Sequence, residues 1–319
     1  MVEHVPRCLD LTRLSRRAGR TLTGVDRVEL AYLKRLLKSS DVIHGLVRTR
    51  LGFLLLDRSG MAVFDQLLAT GTWAKAGIVP RMIWRDPVRR NVEASLRKLA
   101  IARCRPRNLR QMLTQNLPAG VHYLNIAHSN ITNKILAAFA AVPRCRIGVM
   151  IHDTIPLDYP QYQRIETPDQ FRRQLKAVSG LADVVIANSA QTAKDVERHL
   201  VGFGHVPDIV TAHLGHTPAK PDLSFETPKG PFFVSVGTIE PRKNHALLLE
   251  IWNQLAQDLD APKLVICGGR GWRNDDVFGQ LDRKPANVIE CNDLTDQQIA
   301  TLLTKATGLL MPSFAEGYG

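Results

Sequence analysis

The chain has 319 residues, 45% of them hydrophobic and 23% charged, which is typical of a globular protein with two domains. We expect no membrane span, because no run of about 18 apolar residues occurs, and no secretory leader, because the N-terminus lacks an apolar core. The five cysteines are scattered without a CxxC pair, and the ten histidines form no metal-binding pattern. These features predict a cytoplasmic protein without a disulfide framework or a metal site.

Positive charge is concentrated in the first third of the chain. The chain has 42 Lys and Arg residues against 30 Asp and Glu, a net charge of +12. Residues 1–110 hold 23 of the basic and 9 of the acidic residues, a net charge of +14. The stretch 84–113 alone has nine basic and two acidic residues. Such a stretch is most often a solvated helix face, but it also suits an anionic partner such as a membrane surface, a nucleic acid or a phosphorylated substrate.

The first 120 residues predict a mixture of strands and helices. "RCLDLTRL" (7–14) suggests a first strand, and "GVDRVELAYLKRLLKSS" (24–40) suggests an amphipathic helix. "LVRTRLGFLLLD" (46–57) is compatible with one strand or with a hairpin, and "MAVFDQLLAT" (61–70) with a helix.

From residue 121 onward, short apolar strands alternate with helical patterns. Such alternation predicts an α/β fold with two parallel sheets, whose ligands bind at the carboxyl ends of the strands. We predict domains at 1–218 and 231–319, joined by a Pro-rich linker at 219–230. The predicted strands are VHYLNIA (121–127), RIGVMIHD (146–153), ADVVIANS (182–189), DIVTAHLG (208–215), FFVSVG (232–237), KLVICGG (263–269), NVIECN (287–292) and GLLMPS (308–313).

The stretch "VGTIEPRKNHALLL" (236–249) combines a strand end, two adjacent cations and a helix start. Arg242 supplies a fork of donors, Lys243 supplies a point charge, and the helix end supplies free N–H groups, so the segment suits a diphosphate. The alternative is a solvated first turn that is capped by Asn244. Gly268 and Gly269 in "ICGGRGW" (266–272) are equally compatible with a tight turn and with a close approach to a ligand.

Polar residues also follow two strands of the first half. His152 and Asp153 end one strand, and His128 with Asn130 ends another, so the four side chains are candidates for substrate contacts. A satisfied strand-end histidine and ordinary helix capping are the alternatives. Ser189 is more typical of a helix cap than of a substrate contact.

The segment "VGTIEPRKNHALLL" followed by "SFAEGYG" (313–319) resembles the donor-binding domain of retaining GT-B glycosyltransferases of family 4, in which a motif E-x7-E occurs. The resemblance is strong over 232–319, good over 121–215 and loose before that. It implies two Rossmann-like domains whose sheets face a cleft. The second glutamate of the motif would lie beyond residue 319, which implies a chain truncated within the motif and an incomplete C-terminal domain.

The resemblance also implies roles for single residues. Those implied for catalysis are His152, Asp153 and Glu316. Those implied for donor binding are Gly237, Thr238, Arg242, Lys243, Gly268, Gly269, Gly317, Tyr318 and Gly319. Those implied for an acceptor or phosphate loop are Gly24, Arg27, His128 and Asn130, although a Thr/Gly helix cap is the alternative for the first of these.

The resemblance therefore implies transfer of a hexose, mannose among the candidates, from a nucleotide-diphosphate sugar to a carbohydrate or lipid-linked acceptor in surface polysaccharide or glycolipid synthesis. No cofactor or metal is expected, because cations and a helix dipole can stabilise the leaving diphosphate. An inactive truncated fragment is the main alternative, and a peripheral contact with an anionic membrane is a further expectation. A dinucleotide oxidoreductase is disfavoured because no G-x-G-x-x-G follows a strand. Nucleic acid is not an expected partner, because the basic third lacks a reader helix or stacking aromatics.

Overall fold

The computed structural model describes residues 4–75, 86–258 and 260–318 and divides them into two compact units. The first unit takes in the described residues up to 154, together with 170–214 and 318; the second takes in 155–169 and 215–317. Residues 155–169 are thus counted with the second unit. The domain bounds 1–218, 219–230 and 231–319 remain a prediction from the sequence.

The first unit is built on an eight-stranded sheet with the order β4-β3-β2-β1-β5-β6-β7-β8. The strands are β1 Arg7–Asp10, β2 Ile43–Thr49, β3 Gly52–Leu56, β4 Ala102–Cys104, β5 His122–Asn125, β6 Arg146–Ile151, β7 Val184–Ala187 and β8 Asp208–Thr211. All neighbours pair in parallel except β2 with β3 and β3 with β4, which are antiparallel. The segment 46–57 is therefore a hairpin, because two residues are too short a connection for a parallel crossover.

The second unit has a four-stranded parallel sheet with the order β11-β10-β9-β12. Its strands are β9 Phe232–Val236, β10 Lys263–Cys267, β11 Val288–Cys291 and β12 Gly308–Leu309. Residues 212–231 contain no helix or strand. The predicted α/β fold with parallel-rich sheets is confirmed.

Helices cover both sheets. In chain order they are α1 Thr12–Arg17, α2 Gly24–Leu37, α3 Arg58–Thr70, α4 Pro87–Leu99, α5 Leu109–Asn116, α6 Asn133–Ala140, α7 Ile155–Asp158, α8 Thr167–Leu181, α9 Ala190–Val201, α10 His245–Leu255, α11 Asp275–Asp282 and α12 Asp296–Lys305. Short 3-10 turns occupy Pro106–Asn108, Pro160–Tyr162 and Pro241–Lys243. Within the described part of the chain, no helix is both long and apolar enough to cross a bilayer.

The helices pack on the sheets through apolar faces that the sequence pattern predicts. In the first unit Leu9, Phe64 and Met150 belong to one buried cluster, and in the second Leu248 and Ile266 belong to another. Burial of such side chains contributes about 1.5–3 kcal/mol each relative to exposure, so these clusters hold the helices on the sheets.

The strand predicted at 7–14 is shorter than expected. It ends at Asp10, whose carboxylate accepts a hydrogen bond of 3.0 Å from the backbone N–H of Thr12. This local turn starts α1 at Thr12, because a side chain that bonds to the nearby backbone competes with the strand ladder.

Each sheet has a point at which the strand order changes direction. In the first unit the chain runs outward from β1 to one side and from β5 to the other; in the second it does so from β9 and β12. Ligands of open α/β sheets bind outside the carboxyl ends of the strands at such points. Both points are therefore places to look for a site.

Candidate functional site

A buried polar network lies at the carboxyl ends of β1 and β5 in the first unit. The Asp10 carboxylate accepts hydrogen bonds of 2.8 Å from both the Tyr123 hydroxyl and the Asn130 amide. The Asn130 amide also donates to the Thr12 hydroxyl at 2.7 Å, and the Asn125 amide donates to the Tyr123 hydroxyl at 3.0 Å. All five residues are buried. Burial raises the pKa of Asp10, although the hydrogen bonds from Asn130, Thr12 and Tyr123 oppose that shift.

The turn after β5 has an unusual backbone. His128 and Asn130 adopt left-handed conformations with φ of 58° and 63°. Asparagine and histidine tolerate this region better than most residues, but the conformation still carries strain. The Asn130 side chain contacts Asp10 and Thr12, so this predicted residue holds part of the network in place.

The two predicted histidines of the first unit lie next to each other. Their ring centroids are 5.2 Å apart, and the backbone N–H of His152 donates to His128 Nε2 at 3.3 Å. Burial lowers the pKa of His128 to about 3, with the positive charges that His152 and Arg13 can carry adding to the shift. Burial likewise lowers the pKa of His152. Both imidazoles are therefore neutral at pH 7.

His152 is held by residues that directly follow β5 and β7. Its Nε2 lies 2.7 Å from the carbonyl of Ile126, and because a carbonyl only accepts, Nε2 carries the proton and Nδ1 is the acceptor nitrogen. The Asn188 amide donates to the His152 carbonyl at 2.8 Å. Asp153 follows at the strand end and is half-buried. Ser189 accepts from the Thr192 N–H at 3.0 Å and caps α9, as predicted.

Helices α1 and α2 make a set of contacts that the sequence did not predict. Asp26 is fully buried and pairs with Arg13 and Arg17 at 2.5 and 3.2 Å. It forms a capping box with Thr23 at the start of α2. Gly24 is the first residue of that helix, and a Cβ there would meet nothing within 4 Å. Arg27 donates to the Leu22 carbonyl at 3.3 Å.

An ion network lies at the carboxyl ends of β9 and β12 in the second unit. Arg242 pairs with Glu240 at 2.7 Å and with Glu316 at 2.8 Å, and Lys243 pairs with the other oxygen of Glu316 at 2.5 Å. The Arg242 carbonyl accepts from the Phe314 N–H at 2.8 Å. These contacts bring both predicted cations and the predicted carboxylate together, although 73 residues separate Lys243 from Glu316.

The two carboxylates of this network differ in their proton affinity. Burial raises the pKa of Glu240 in spite of the nearby charges of Arg242 and Lys243. Burial also acts on Glu316, but hydrogen bonds from Lys243, Ser313 and Arg242 outweigh it and hold the pKa of Glu316 below its usual value. Glu316 is therefore ionised at pH 7, and its negative charge lies directly on the two cations.

Glycines bring the backbone of β9 and β10 close together beneath this network. A Cβ on Gly268 would lie 2.0 Å from the Gly237 carbonyl oxygen, so no other residue fits there. Gly237 has a φ of 145° and lies against the Lys243 side chain. Thr238 follows it, half-buried. Gly269 has open space around its Cα.

The start of α10 differs from the prediction. Asn244 stands at the N-cap position, but its φ is 54°, and its side chain makes no cap hydrogen bond. Its amide instead donates to the Pro312 carbonyl at 3.3 Å, because the left-handed backbone turns the side chain toward the loop after β12. The next residue, His245, is buried, and burial together with Lys243 lowers its pKa to about 4. Neither ring nitrogen has a partner among the described residues.

Residues 155–169 also contact this side of the second unit, which the sequence reading did not predict. The rings of Tyr162 and Phe314 stack with centroids 5.1 Å apart. Trp272 donates to the Tyr162 carbonyl at 3.2 Å, and Arg164 lies over the Trp272 ring at 5.4 Å. The contacts support the loop that carries Glu316 from a segment far away in sequence.

Of the last three residues of the predicted donor motif, the structure describes Gly317 and Tyr318. Gly317 is half-buried. Tyr318 is exposed, is counted with the first unit, and donates through its hydroxyl to the Leu214 carbonyl at 3.1 Å. Gly319 lies outside the described residues. Among the residues that the structure describes, no three His, Cys, Asp or Glu side chains cluster in a way that could hold a metal ion.

Comparison with known proteins relates part of the chain to glycosyltransferases. Residues 220–319 match the family model described as "Glycosyl transferases group 1". The match includes Arg242, Lys243 and Glu316 of the second unit. The curated "Serotype-specific mannosyltransferase WbdA" of Escherichia coli is 28% identical over 190 residues, which cover 53% of this chain. The match spans 23% of that protein's own length.

Solved structures of glycosyltransferases share the overall fold. The apo form of the lipopolysaccharide outer core galactosyltransferase WaaB matches 98% of this chain and 75% of its own with a TM-score of 0.51 and 14% identity. The catalytic domain of Starch Synthase IV from Arabidopsis thaliana, bound to ADP and acarbose, matches 99% and 79% with a TM-score of 0.50 and 10% identity. Identities this low show the fold alone. The predicted resemblance is thereby confirmed for group 1 glycosyltransferases of the GT-B fold, while family 4 stays a prediction.

Proposed function

We propose that the protein transfers a hexose, with mannose the leading candidate, from a nucleotide-diphosphate sugar to a hydroxyl of a carbohydrate or lipid-linked acceptor, with retention at the anomeric carbon. The observation that carries this proposal is the convergence of Arg242, Lys243 and Glu316 at the switch point of a glycosyltransferase group 1 domain. The similarity to a mannosyltransferase supports the choice of mannose.

The second unit supplies charge for the leaving group. As the bond between the sugar carbon and the diphosphate oxygen breaks, the diphosphate takes the electron pair and gains negative charge. The Arg242 fork and the Lys243 ammonium stabilise that charge, and no metal is required. The acceptor oxygen forms its bond on the face that the diphosphate leaves, and the hydroxyl proton ends on the diphosphate. Glu316 lies against the donor sugar in this proposal.

The first unit supplies hydrogen-bonding groups of fixed orientation. His152 is neutral, and its Nε2–H donates to the Ile126 carbonyl. Its Nδ1 can therefore accept a hydrogen bond from a sugar hydroxyl. Asp153, His128 and Asn130 are proposed to contact the substrates from the same strand ends, and Gly24 and Arg27 from the first loop.

The acceptor partner is also proposed to lie at an anionic membrane surface. The basic residues Arg103, Arg105, Arg107 and Arg110 of the first unit are all exposed. Each such cation near an anionic surface contributes about 1 kcal/mol to binding at moderate salt. Co-sedimentation with phosphatidylglycerol vesicles should therefore occur at low salt and weaken as salt is added; absence of binding at low salt would contradict the proposal.

Nucleotide binding tests the proposed function directly. The wild-type chain should bind UDP or GDP in a calorimetric titration, and Lys243→Ala should weaken that binding about 100-fold, since a partly buried charge-assisted contact is lost. Lys305→Ala is the matched control, because Lys305 is exposed in the same unit and lies in the last turn of α12. Equal nucleotide affinity in Lys243→Ala and wild type would overturn the proposed site.

A transfer assay tests the chemistry. UDP- and GDP-hexoses are incubated with simple mannosides, and the anomeric configuration of the product is read by proton NMR. An α-linked product from an α-linked donor sugar supports retention, and a β-linked product contradicts it.

A further inference from the structure

The first unit contains a cavity lined by arginines that the proposed catalytic residues do not use. Its volume is about 590 Å³. Four of its lining residues are arginines: Arg16 of α1, Arg48 of β2, Arg50 of the hairpin turn and Arg89 of α4. A cavity of this size lies within the range of about 300–1,000 Å³ that small-molecule ligands occupy.

The cavity carries a surplus of positive charge. The one carboxylate in its lining, Glu93, is already paired with Arg97 at 2.7 Å. Arg16 has no hydrogen bond or ion pair with any residue that the structure describes, and the Arg48 guanidinium lies over the Phe53 ring at 6.0 Å. Arg16, Arg48 and Arg50 are exposed, and Arg89 pairs with Asp86 at 3.8 Å. Partial burial of Arg16, with the charges of Arg48 and Arg89 nearby, lowers the pKa of Arg16, although the Asp10 carboxylate opposes the shift. Like charges held this close repel each other, and a bound anion would relieve the repulsion.

The cavity adjoins the polar network of the switch point. The backbone N–H of Arg48 donates to the Thr12 hydroxyl at 2.9 Å, and the same hydroxyl accepts from Asn130 at 2.7 Å. One hydroxyl therefore connects a cavity-lining residue to a residue that is proposed to contact substrate. A ligand in the cavity would lie beside that network.

We propose that this cavity binds a phosphoryl group carried by the acceptor. Guanidinium forks match the oxygens of a phosphate in paired hydrogen bonds, and several of them suit a group with more than one negative charge. The volume leaves room for the sugar or alcohol to which the phosphate is attached. The assignment to the acceptor rests on the proposed glycosyl transfer, since the donor's diphosphate belongs to Arg242 and Lys243 of the second unit.

Pyrophosphate is the probe for the cavity. It is titrated calorimetrically into the full chain carrying Lys243→Ala, which removes the proposed donor site. Adding Arg16→Gln and Arg48→Gln together should weaken pyrophosphate binding at least about tenfold. The matched control adds Arg144→Gln and Arg146→Gln, which remove the same charge from positions of the first unit that are exposed but do not line the cavity, and should change the affinity less than about twofold.

Charge-conserving variants separate binding from folding. Arg16→Lys with Arg48→Lys keeps the charge but loses the forks, so about half of the loss in binding free energy should return. If the glutamine pair does not fold, as judged by near-ultraviolet circular dichroism, Arg16→Gln alone should still weaken pyrophosphate binding about threefold, because this side chain has no partner in the described residues. Equal pyrophosphate affinity in the cavity variants and the exposed control would overturn the proposal.

Two further measurements locate the phosphoryl group and separate this proposal from the proposed function. Binding to vesicles of phosphatidylglycerol or phosphatidylcholine shows whether the phosphoryl group belongs to a lipid. If it does, Arg16→Gln with Arg48→Gln weakens binding to the anionic vesicles, and soluble pyrophosphate competes with them. UDP binding to the wild type reports the donor site alone. If UDP binds normally but the cavity variants keep their pyrophosphate affinity, the proposed cavity site is wrong and the proposed glycosyl transfer is unaffected. If UDP does not bind but the cavity variants still weaken pyrophosphate binding, the cavity is an anion site and its assignment to the acceptor is wrong.

Discussion

The two units place polar side chains at equivalent positions of their sheets but with different chemistry. The network of the first unit is neutral or shielded from water: Asp10 is 2% exposed and Asn130 7%. The network of the second unit is ionic and partly open to solvent, with side-chain exposures of 20% for Arg242 and 22% for Glu316. In the first unit hydrogen bonds hold the side chains; in the second, charges of opposite sign do.

The difference indicates how each unit can respond to a ligand. A buried hydrogen-bond network is costly to rearrange, because each group that loses its partner keeps a desolvation penalty of about 1–3 kcal/mol. The first unit is therefore organised before substrate arrives. In the second unit Glu316 neutralises the two cations only until a diphosphate competes for them. We infer that one network orients and the other exchanges partners.

The largest expected effect is the loss of the backbone contact beneath the ionic network. Gly268→Ala should destabilise the second unit by about 5 kcal/mol or more, because the new Cβ would lie 2.0 Å from the Gly237 carbonyl oxygen at a φ of 158°. Urea unfolding measures the change in free energy. Gly269→Ala is the control, since its Cβ would meet nothing within 4 Å. Similar stabilities of the two variants would show that β9 and β10 are not this close.

A pH titration compares a buried histidine in each unit. Unfolded histidine takes up a proton near pH 6.5, whereas folded His245 does so only near pH 4 and folded His128 near pH 3. The unfolded chain therefore binds more protons below pH 6.5, and stability falls as the pH drops. The loss attributable to His245 ends only below about pH 4 and amounts to about 3 kcal/mol, and that for His128 continues to lower pH.

Urea unfolding between pH 7 and pH 4.5 checks this prediction. His245→Gln should flatten the dependence of the unfolding free energy on pH, because glutamine does not titrate. His216→Gln, an exposed position in the same unit, should keep the wild-type slope. A slope that is the same in His245→Gln and wild type would mean that His245 is solvated in the folded protein.

The hydrogen-bond network of the first unit should tolerate substitution less well than an exposed site does. Asn130→Ala removes one donor to Asp10 and one to Thr12, so it should destabilise the protein by about 2 kcal/mol. Asn108→Ala, at an exposed 3-10 turn, should change stability by less than about 0.5 kcal/mol. A loss as small in Asn130→Ala as in the control would mean that water replaces the missing amide.

Local patterns predicted most of the fold, because apolar strands and helix caps depend on neighbouring residues. They also predicted that Arg242 and Lys243 stand at a helix start, and that His128 and His152 end strands. They did not show which charges pair: Asp26 meets Arg13, and Glu316 meets cations more than 70 residues away. Residue types are visible in a sequence, but contacts between distant segments depend on packing, as does the placement of 155–169 against Phe314.

The smallest expected effect concerns the ionic network itself and decides whether Glu316 exchanges partners. Glu316→Gln removes the charge that competes with a diphosphate for Arg242 and Lys243, so UDP affinity should rise about tenfold while sugar transfer falls. Glu290→Gln is the matched control, because Glu290 pairs with Arg270 at 2.8 Å in the same unit and its loss should leave UDP affinity unchanged.

A fall in UDP affinity in Glu316→Gln would reverse the interpretation of this carboxylate. It would mean that Glu316 orients the two cations for the diphosphate rather than competing with it, so that the second network is as firmly organised as the first. A rise that disappears at high salt supports competition, since screening weakens the pairing of partly exposed charges. The sign of this one change therefore determines whether the two units differ in how they respond to ligand or only in the chemistry of their side chains.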